Sequence, residues 1–134
     1  MGSVNSIAPG NIIVLNVMMP HKYKYEDKLF VVVCDDPILL LKINTEYEQR
    51  EIARRFKERQ FKLKRSLYSL HHDSYLDCGT VWYNLLTEQE IFDQNPQVLG
   101  MLTPDHKNEV VRLTSISKSI SSIHKRLIRE SMIR

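Results

Sequence analysis

The sequence predicts a mainly β chain with added helices: an antiparallel sheet, a short inserted helix and a long C-terminal helix. Three observations carry this reading. Three apolar runs, at 12–15, 29–34 and 38–43, have strand length and are separated by turn residues rather than by helices. Between 60 and 66, apolar and polar residues alternate with period two. Finally, Thr103-Pro104-Asp105 opens a segment whose apolar residues recur every three or four positions.

Taken in order, the turn signal Pro9-Gly10-Asn11 precedes a short buried strand at 12–15. A polar loop is expected over 18–28, holding Pro20, His21, Lys22 and Tyr23. The run Leu29-Phe30-Val31-Val32-Val33-Cys34 suits a central strand, because β-branched side chains fit a pleated, buried surface. Asp35-Asp36-Pro37 closes it, since Asp bonds local backbone and Pro fixes φ, and 38–43 returns antiparallel. Without intervening helices these strands form a meander, not a parallel sheet.

Asn44-Thr45 followed by Glu48 approximates a capping box and starts the inserted helix. Its apolar side is Tyr47, Ile52, Ala53 and Phe56; its other side carries Arg50, Arg54, Arg55, Lys57 and Arg59. From Gln60, Phe61, Leu63 and Arg65 fall on one strand face and Lys62, Lys64 and Ser66 on the other, a half-exposed strand with a basic outer face. The last strand of the sheet is expected at 76–83, with Trp82 in the core and Tyr83 on the surface. Thr87-Glu88-Gln89-Glu90 starts a short helix that ends before Pro96. Thr103 as N-cap, Pro104 at the first helical position and Asp105 at the positive dipole end then begin a long helix over 103–134. Val110, Leu113, Ile116, Ile120, Ile123 and Leu127 form its single apolar stripe. Packing on the sheet accounts for the first half; the second, with Lys125, Arg126, Arg129 and Arg134, is expected to reach a partner or a second subunit.

The totals fit one domain over 1–134: apolar content of 43% and charged content of 26% are those of an ordinary globular protein. No apolar run is long enough to span a bilayer, and no basic segment leading into an apolar one marks a signal peptide. Cys34 and Cys78 form no C-x-x-C and match reduced thiols in the cytoplasm better than a disulfide or zinc site. No cofactor is implied. The net charge of +3 is mild, but it is unevenly spread: eight Lys or Arg lie between 50 and 65 against only Glu51 and Glu58. Such a run either tracks nucleic-acid phosphates, with Tyr47 and Phe56 as stacking platforms, or simply keeps the surface solvated.

The densest chemistry is His71-His72-Asp73-Ser74-Tyr75-Leu76-Asp77-Cys78. Two imidazoles, two carboxylates, a hydroxyl, a phenol and a thiol within eight residues are the groups acid–base chemistry needs near neutral pH. The same stretch also reads as a loop entering a strand, with Asp73 and Ser74 bonding the local backbone.

Five short segments, in order, are Gly10-Asn11-Ile12, Lys28-Leu29-Phe30-Val31, Ile43-Asn44-Thr45, Asp73-Ser74-Tyr75-Leu76 and Gly100-Met101-Leu102-Thr103. Together they resemble the PemK/MazF-like toxins over nearly the whole chain. The resemblance implies a small SH3-like β-barrel with a C-terminal helix, and a homodimeric endoribonuclease of a toxin–antitoxin system whose antitoxin occupies the RNA groove. Lys28 falls in the slot of a catalytic Arg, Thr45 in that of a catalytic Thr, and His21 in a loop where some members carry a functional His. Metal-independent RNA cleavage requires a base, an acid and a cation beside the phosphorane. His21 or His72 would handle protons, Lys28 would supply charge, and Thr45 or Ser74 would orient the phosphate, while Arg50, Arg54, Arg55, Lys57, Lys62, Lys64 and Arg65 hold the RNA. The chain departs from the pattern at Asn11, which replaces an acid, and at Lys28, which lacks the planar fork of Arg. Gly79 and Thr80 stand where active members carry Arg or Gln. The alternative is therefore a catalytically inactive module of the same fold that binds nucleic acid or a protein.

Overall fold

Two hairpins built on the β-branched runs carry the sheet. In the computed structural model, which describes residues 7–19, 23–45, 59–68, 70–71 and 73–133, β1 (Asn11–Met19) pairs antiparallel with β2 (Lys24–Asp35), and β2 with β3 (Ile38–Thr45). Then come β4 (Gln60–Leu63), α1 (Arg65–Tyr68), β5 (Ser74–Asp77), α2 (Glu88–Gln94), β6 (Val98–Met101), α3 (Pro104–Ile116) and α4 (Ser122–Met132). The six strands form one sheet in the order β4-β5-β3-β2-β1-β6, and every pairing is antiparallel. This sheet curls into a half-barrel, so the expected mainly β class with a small barrel-like sheet and C-terminal helices holds. The inserted helix expected after Thr45 falls on residues 46–58, outside the described residues.

Strand alternation sorts the apolar side chains into two clusters, one on each face. Ile12, Val31, Leu41, Ile43, Leu63 and Leu76 point to the side covered by α3 and α4, where Val110, Leu113, Ile128 and Met132 meet them. Ile13, Leu15, Phe30, Val32 and Leu40 point the other way, under Ile91 of α2 and the half-buried Trp82, Leu85 and Leu86. A register shift between Val32 and Cys34 places Val33 and Cys34 together in the helix-side cluster. Each of these fully buried aliphatic or aromatic side chains contributes roughly 1.5–3 kcal/mol.

The polar loop expected over 18–28 is mostly strand, because β1 runs on to Met19 and β2 begins at Lys24, where the two pair, and the structure departs from the sequence reading at three further places. The strand placed at 76–83 is shorter and earlier, Ser74–Asp77, and the chain rejoins the sheet only at an isolated Leu40–Trp82 bridge. The edge strand β6 had no sequence signal, because its four residues include Gly100 and none is fully buried. The C-terminal helix is two helices. Ser117 ends α3 and spends its hydroxyl on the carbonyl of Gly79 at 2.8 Å, while Ser121 caps α4 by accepting from the N–H of His124. Serines compete with the helix backbone for hydrogen bonds, and the stretch 115–122 is rich in them. The break changes the phase of the stripe: Ile116 and Ile123 are 57% and 63% exposed, and Ile128 and Met132 take the core positions. Among the described residues no helix is long and apolar enough to cross a membrane.

Candidate nucleic-acid interface

The face of the sheet away from α3 and α4 is apolar at one end and polar at the other. On the polar half the alternation of β2, β3, β5 and β4 places Lys28, Lys42, Asn44, Tyr75, Asp77, Gln60 and Lys62 on this face, each next in sequence to a residue of the helix-side cluster; Lys62 is exposed, Asn44 is buried at 1% exposure, and the other five are half-buried. Asn44 lies opposite Tyr75, and Tyr75 opposite Lys62, giving one row across three strands. Gln60 lies opposite Asp77 in the next row. Lys42 donates to Asn44 Oδ1 at 2.5 Å. The two amide heteroatoms of Gln60 are buried and find no hydrogen-bond partner among the described residues.

Carboxylates sit among these lysines. Lys28 Nζ is 3.8 Å from Glu26 Oε2, with the lysine side chain only 13% exposed. Lys62 Nζ is 3.3 Å from Asp73 Oδ2. Asp73 also accepts the backbone N–H of Arg65 at 2.8 Å, and that bond, helped by Lys62, holds its carboxyl below the usual range. Asp77 behaves in the opposite sense: burial pushes its carboxyl up, against the pull of the Gly79 N–H at 2.8 Å and of the Arg59 and Lys42 charges. Arg59 lies across Gly79, where an added Cβ would meet its guanidinium at 1.7 Å, and donates to Thr80 Oγ1 at 3.2 Å. A glycine at 79 therefore makes room for the cation beside Asp77.

The residues read from the sequence are distributed unevenly around this surface. Lys28 and Lys62 lie on it. Lys64 and Arg65 leave the strand at its end, and Arg65 opens α1. Thr45 ends β3, its backbone opposite Ser74. Ser74 is 2% exposed and alternates with residues on the other side of the sheet, beside Leu63 and Leu76, so it does not join Lys28. His21, His72, Arg50, Arg54, Arg55 and Lys57 lie outside the described residues. His71 is exposed, and its carbonyl accepts from Arg65 Nη1 at 3.5 Å. Cys78 and Cys34 are buried thiols, and burial pushes Cys78 well above its ordinary value.

Sequence reasoning did not single out Lys42, Asn44, Gln60 or Asp77 as site residues. Lys42 lies between Leu41 and Ile43 and Asn44 between Ile43 and Thr45, and only the pairing of β3 with β5 reveals that they share a sheet face with Tyr75. The exposed period-two position of Lys62 was the one available signal. Among the described residues no three His, Cys, Asp or Glu side chains are grouped as metal ligands. No family model and no curated protein matches the chain.

Proposed function

We propose that this chain holds single-stranded RNA across the polar half of its sheet and cleaves it by metal-independent acid–base chemistry, as an endoribonuclease of the PemK/MazF-like toxin kind. The observation that supports it is the exposed Lys62 opposite the half-buried Tyr75, with the half-buried Lys42 on the same sheet face, the one opposite α3 and α4. Tyr75 offers a ring for a base to stack on, and Lys62 and Lys42 offer charge for the flanking phosphates. In the sequence the basic run between 50 and 65 leads into β4 and adds cations available to phosphates.

In the proposed reaction the Asp77 carboxylate takes the 2′-hydroxyl proton and the freed oxygen attacks phosphorus. The 5′-oxygen leaves with a proton from His21 or His72, giving a 2′,3′-cyclic phosphate and a 5′-hydroxyl end. A carboxyl lifted by burial is the stronger base for this step. Lys28, from the slot of the family's catalytic Arg, supplies charge to the phosphorane. Ser74 has no part in it, being enclosed on the other face. A homodimer, a cytoplasmic setting and an antitoxin-like protein that competes for the same face belong to this reading.

A second reading, a binding module without catalysis, is favoured by one observation: Lys28 is mostly enclosed and turned toward Glu26. The deciding experiment incubates a mixed-sequence single-stranded RNA with the protein in EDTA. Cleavage that Asp77→Asn and Lys28→Ala abolish while folding is intact supports the nuclease. Binding that weakens with salt, without any cleavage at enzyme excess, sinks the nuclease and leaves the module.

A further inference from the structure

At the opposite, apolar end of the same face the chain forms a second concave surface of contrary charge. A cleft of about 600 Å³ opens between the Asp36-Pro37 turn, the 83–87 segment, α2 and the start of α4. Its volume is within the range of ligand sites. Ile38, Leu85, Leu86 and Ile91 make its floor. Around the rim stand the exposed carboxylates of Asp36, Glu88 and Glu90, and no Lys or Arg is among the described residues that line it. One wall is aromatic: Tyr83, 54% exposed, meets the His124 ring edge-on at 4.9 Å.

Below the floor, Trp82 borders a smaller void of about 10 Å³ shared with Leu85, Leu86 and Ile91. The indole Nε1–H of Trp82 is buried and has no hydrogen-bond partner among the described residues.

Negative rim, apolar floor and aromatic wall together select an occupant. An RNA strand is repelled by three carboxylates, so the cleft is not a continuation of the phosphate track. A cationic head on an apolar stem, which is the construction of Arg or Lys beside aliphatic neighbours, satisfies all three features at once. The helix N-terminus at Thr87 adds its own positive end, but Thr87 and Glu90 already consume it in a reciprocal capping box, leaving the carboxylates of Asp36 and Glu88 to face outward.

We propose that this cleft is a docking site for a basic–apolar peptide segment of a partner protein, in which an Arg or Lys flanked by aliphatic residues seats its head against Asp36 and Glu88 and its neighbours on Ile38, Leu85 and Leu86. The site is independent of the RNA-binding reading and stands or falls separately.

The test selects a displayed random dodecapeptide library on the full chain and measures one enriched peptide, synthesised and fluorescein-labelled, by anisotropy. Enriched sequences are expected to carry Arg or Lys between aliphatic residues. Affinity is expected to fall roughly tenfold in Asp36→Asn/Glu88→Gln, which removes two partly exposed charge contacts and leaves the capping box intact. Amide resonances of Tyr83, Leu85 and His124 should shift on binding, and excess single-stranded RNA should not displace the peptide. Failure to enrich any sequence, enrichment of acidic peptides, indifference to the double substitution, displacement by RNA, or a peptide-free self-association through this cleft would each overturn the proposal.

Discussion

Asp77 shows at the scale of one residue how burial and charge compete. Its carboxyl is raised above the ordinary value of 3.8 because desolvation outweighs the Gly79 N–H and the two nearby cations. A carboxyl that is raised on folding binds its proton more tightly in the native state. Its ionisation therefore subtracts stability as pH climbs from the unfolded value through the folded one, and subtracts a constant amount above that. Asp77→Asn keeps an oxygen for the Gly79 N–H and removes the ionisation. The variant is expected to gain on the native chain between pH 3 and pH 7 in paired urea titrations; a difference that stays constant across that range would contradict the assignment. The sequence displayed Asp77 as one of two carboxylates in a polar stretch, and nothing in it distinguished the enclosed Asp77 from Asp73, whose carboxyl is lowered by the Arg65 N–H. That distinction arises because Asp77 is packed between Gln60 and Lys42 strands while Asp73 lies before the strand begins.

At the scale of elements, capping chemistry was legible and helix length was not. Thr87 with Glu90, and Thr103 with Pro104, start α2 and α3 where the sequence placed them, because an N-cap works through bonds within one turn. The end of α3 depends instead on Gly79, remote in sequence, whose carbonyl takes the Ser117 hydroxyl. Two aliphatic residues measure the consequence. Ile128→Ala is expected to cost about 2–5 kcal/mol, the usual loss for a fully enclosed aliphatic residue. Ile123→Ala, on the stripe the sequence suggested, is expected to stay within about 0.5 kcal/mol. Equal losses in denaturant titrations would restore the single long helix. The junction of α1 with α3 was likewise invisible in the sequence: the buried Tyr68 hydroxyl accepts the Thr103 N–H at 3.1 Å and lies 2.5 Å from His106 Nδ1. Thirty-five residues separate Tyr68 from Thr103, and no local pattern announces such a pair.

Over the whole molecule the sheet separates two surfaces. One face is sealed by α3 and α4; the other is divided between the lysine-bearing end and the acid-rimmed cleft beside α2. If RNA occupies the lysine end, the logarithm of its binding constant falls linearly with the logarithm of salt concentration, and Lys62→Ala lowers that slope by about one with little dependence on RNA sequence. A slope unchanged by Lys62→Ala would remove this residue from the phosphate track. Neutralising Asp36 and Glu88 in the cleft is expected to leave the slope as it was.

The sequence by itself determined the apolar centres of β1, β2 and β3, the turn between β2 and β3 and the starts of α2 and α3, and with them the mainly β class. Those features depend on residue spacing and on hydrogen bonds to near neighbours, such as β-branched runs, Asp-Pro turns and Thr caps. Only the tertiary structure decided which polar residues share a surface. Lys28, Asn44, Tyr75 and Lys62 come from four strands, and pairing β3 with β5 across the segment between them is what sets their row. It likewise separated Ser74 from Lys28, because a one-residue step along a strand reverses the face, and a cluster dense in sequence is thereby divided between the two sides of the sheet.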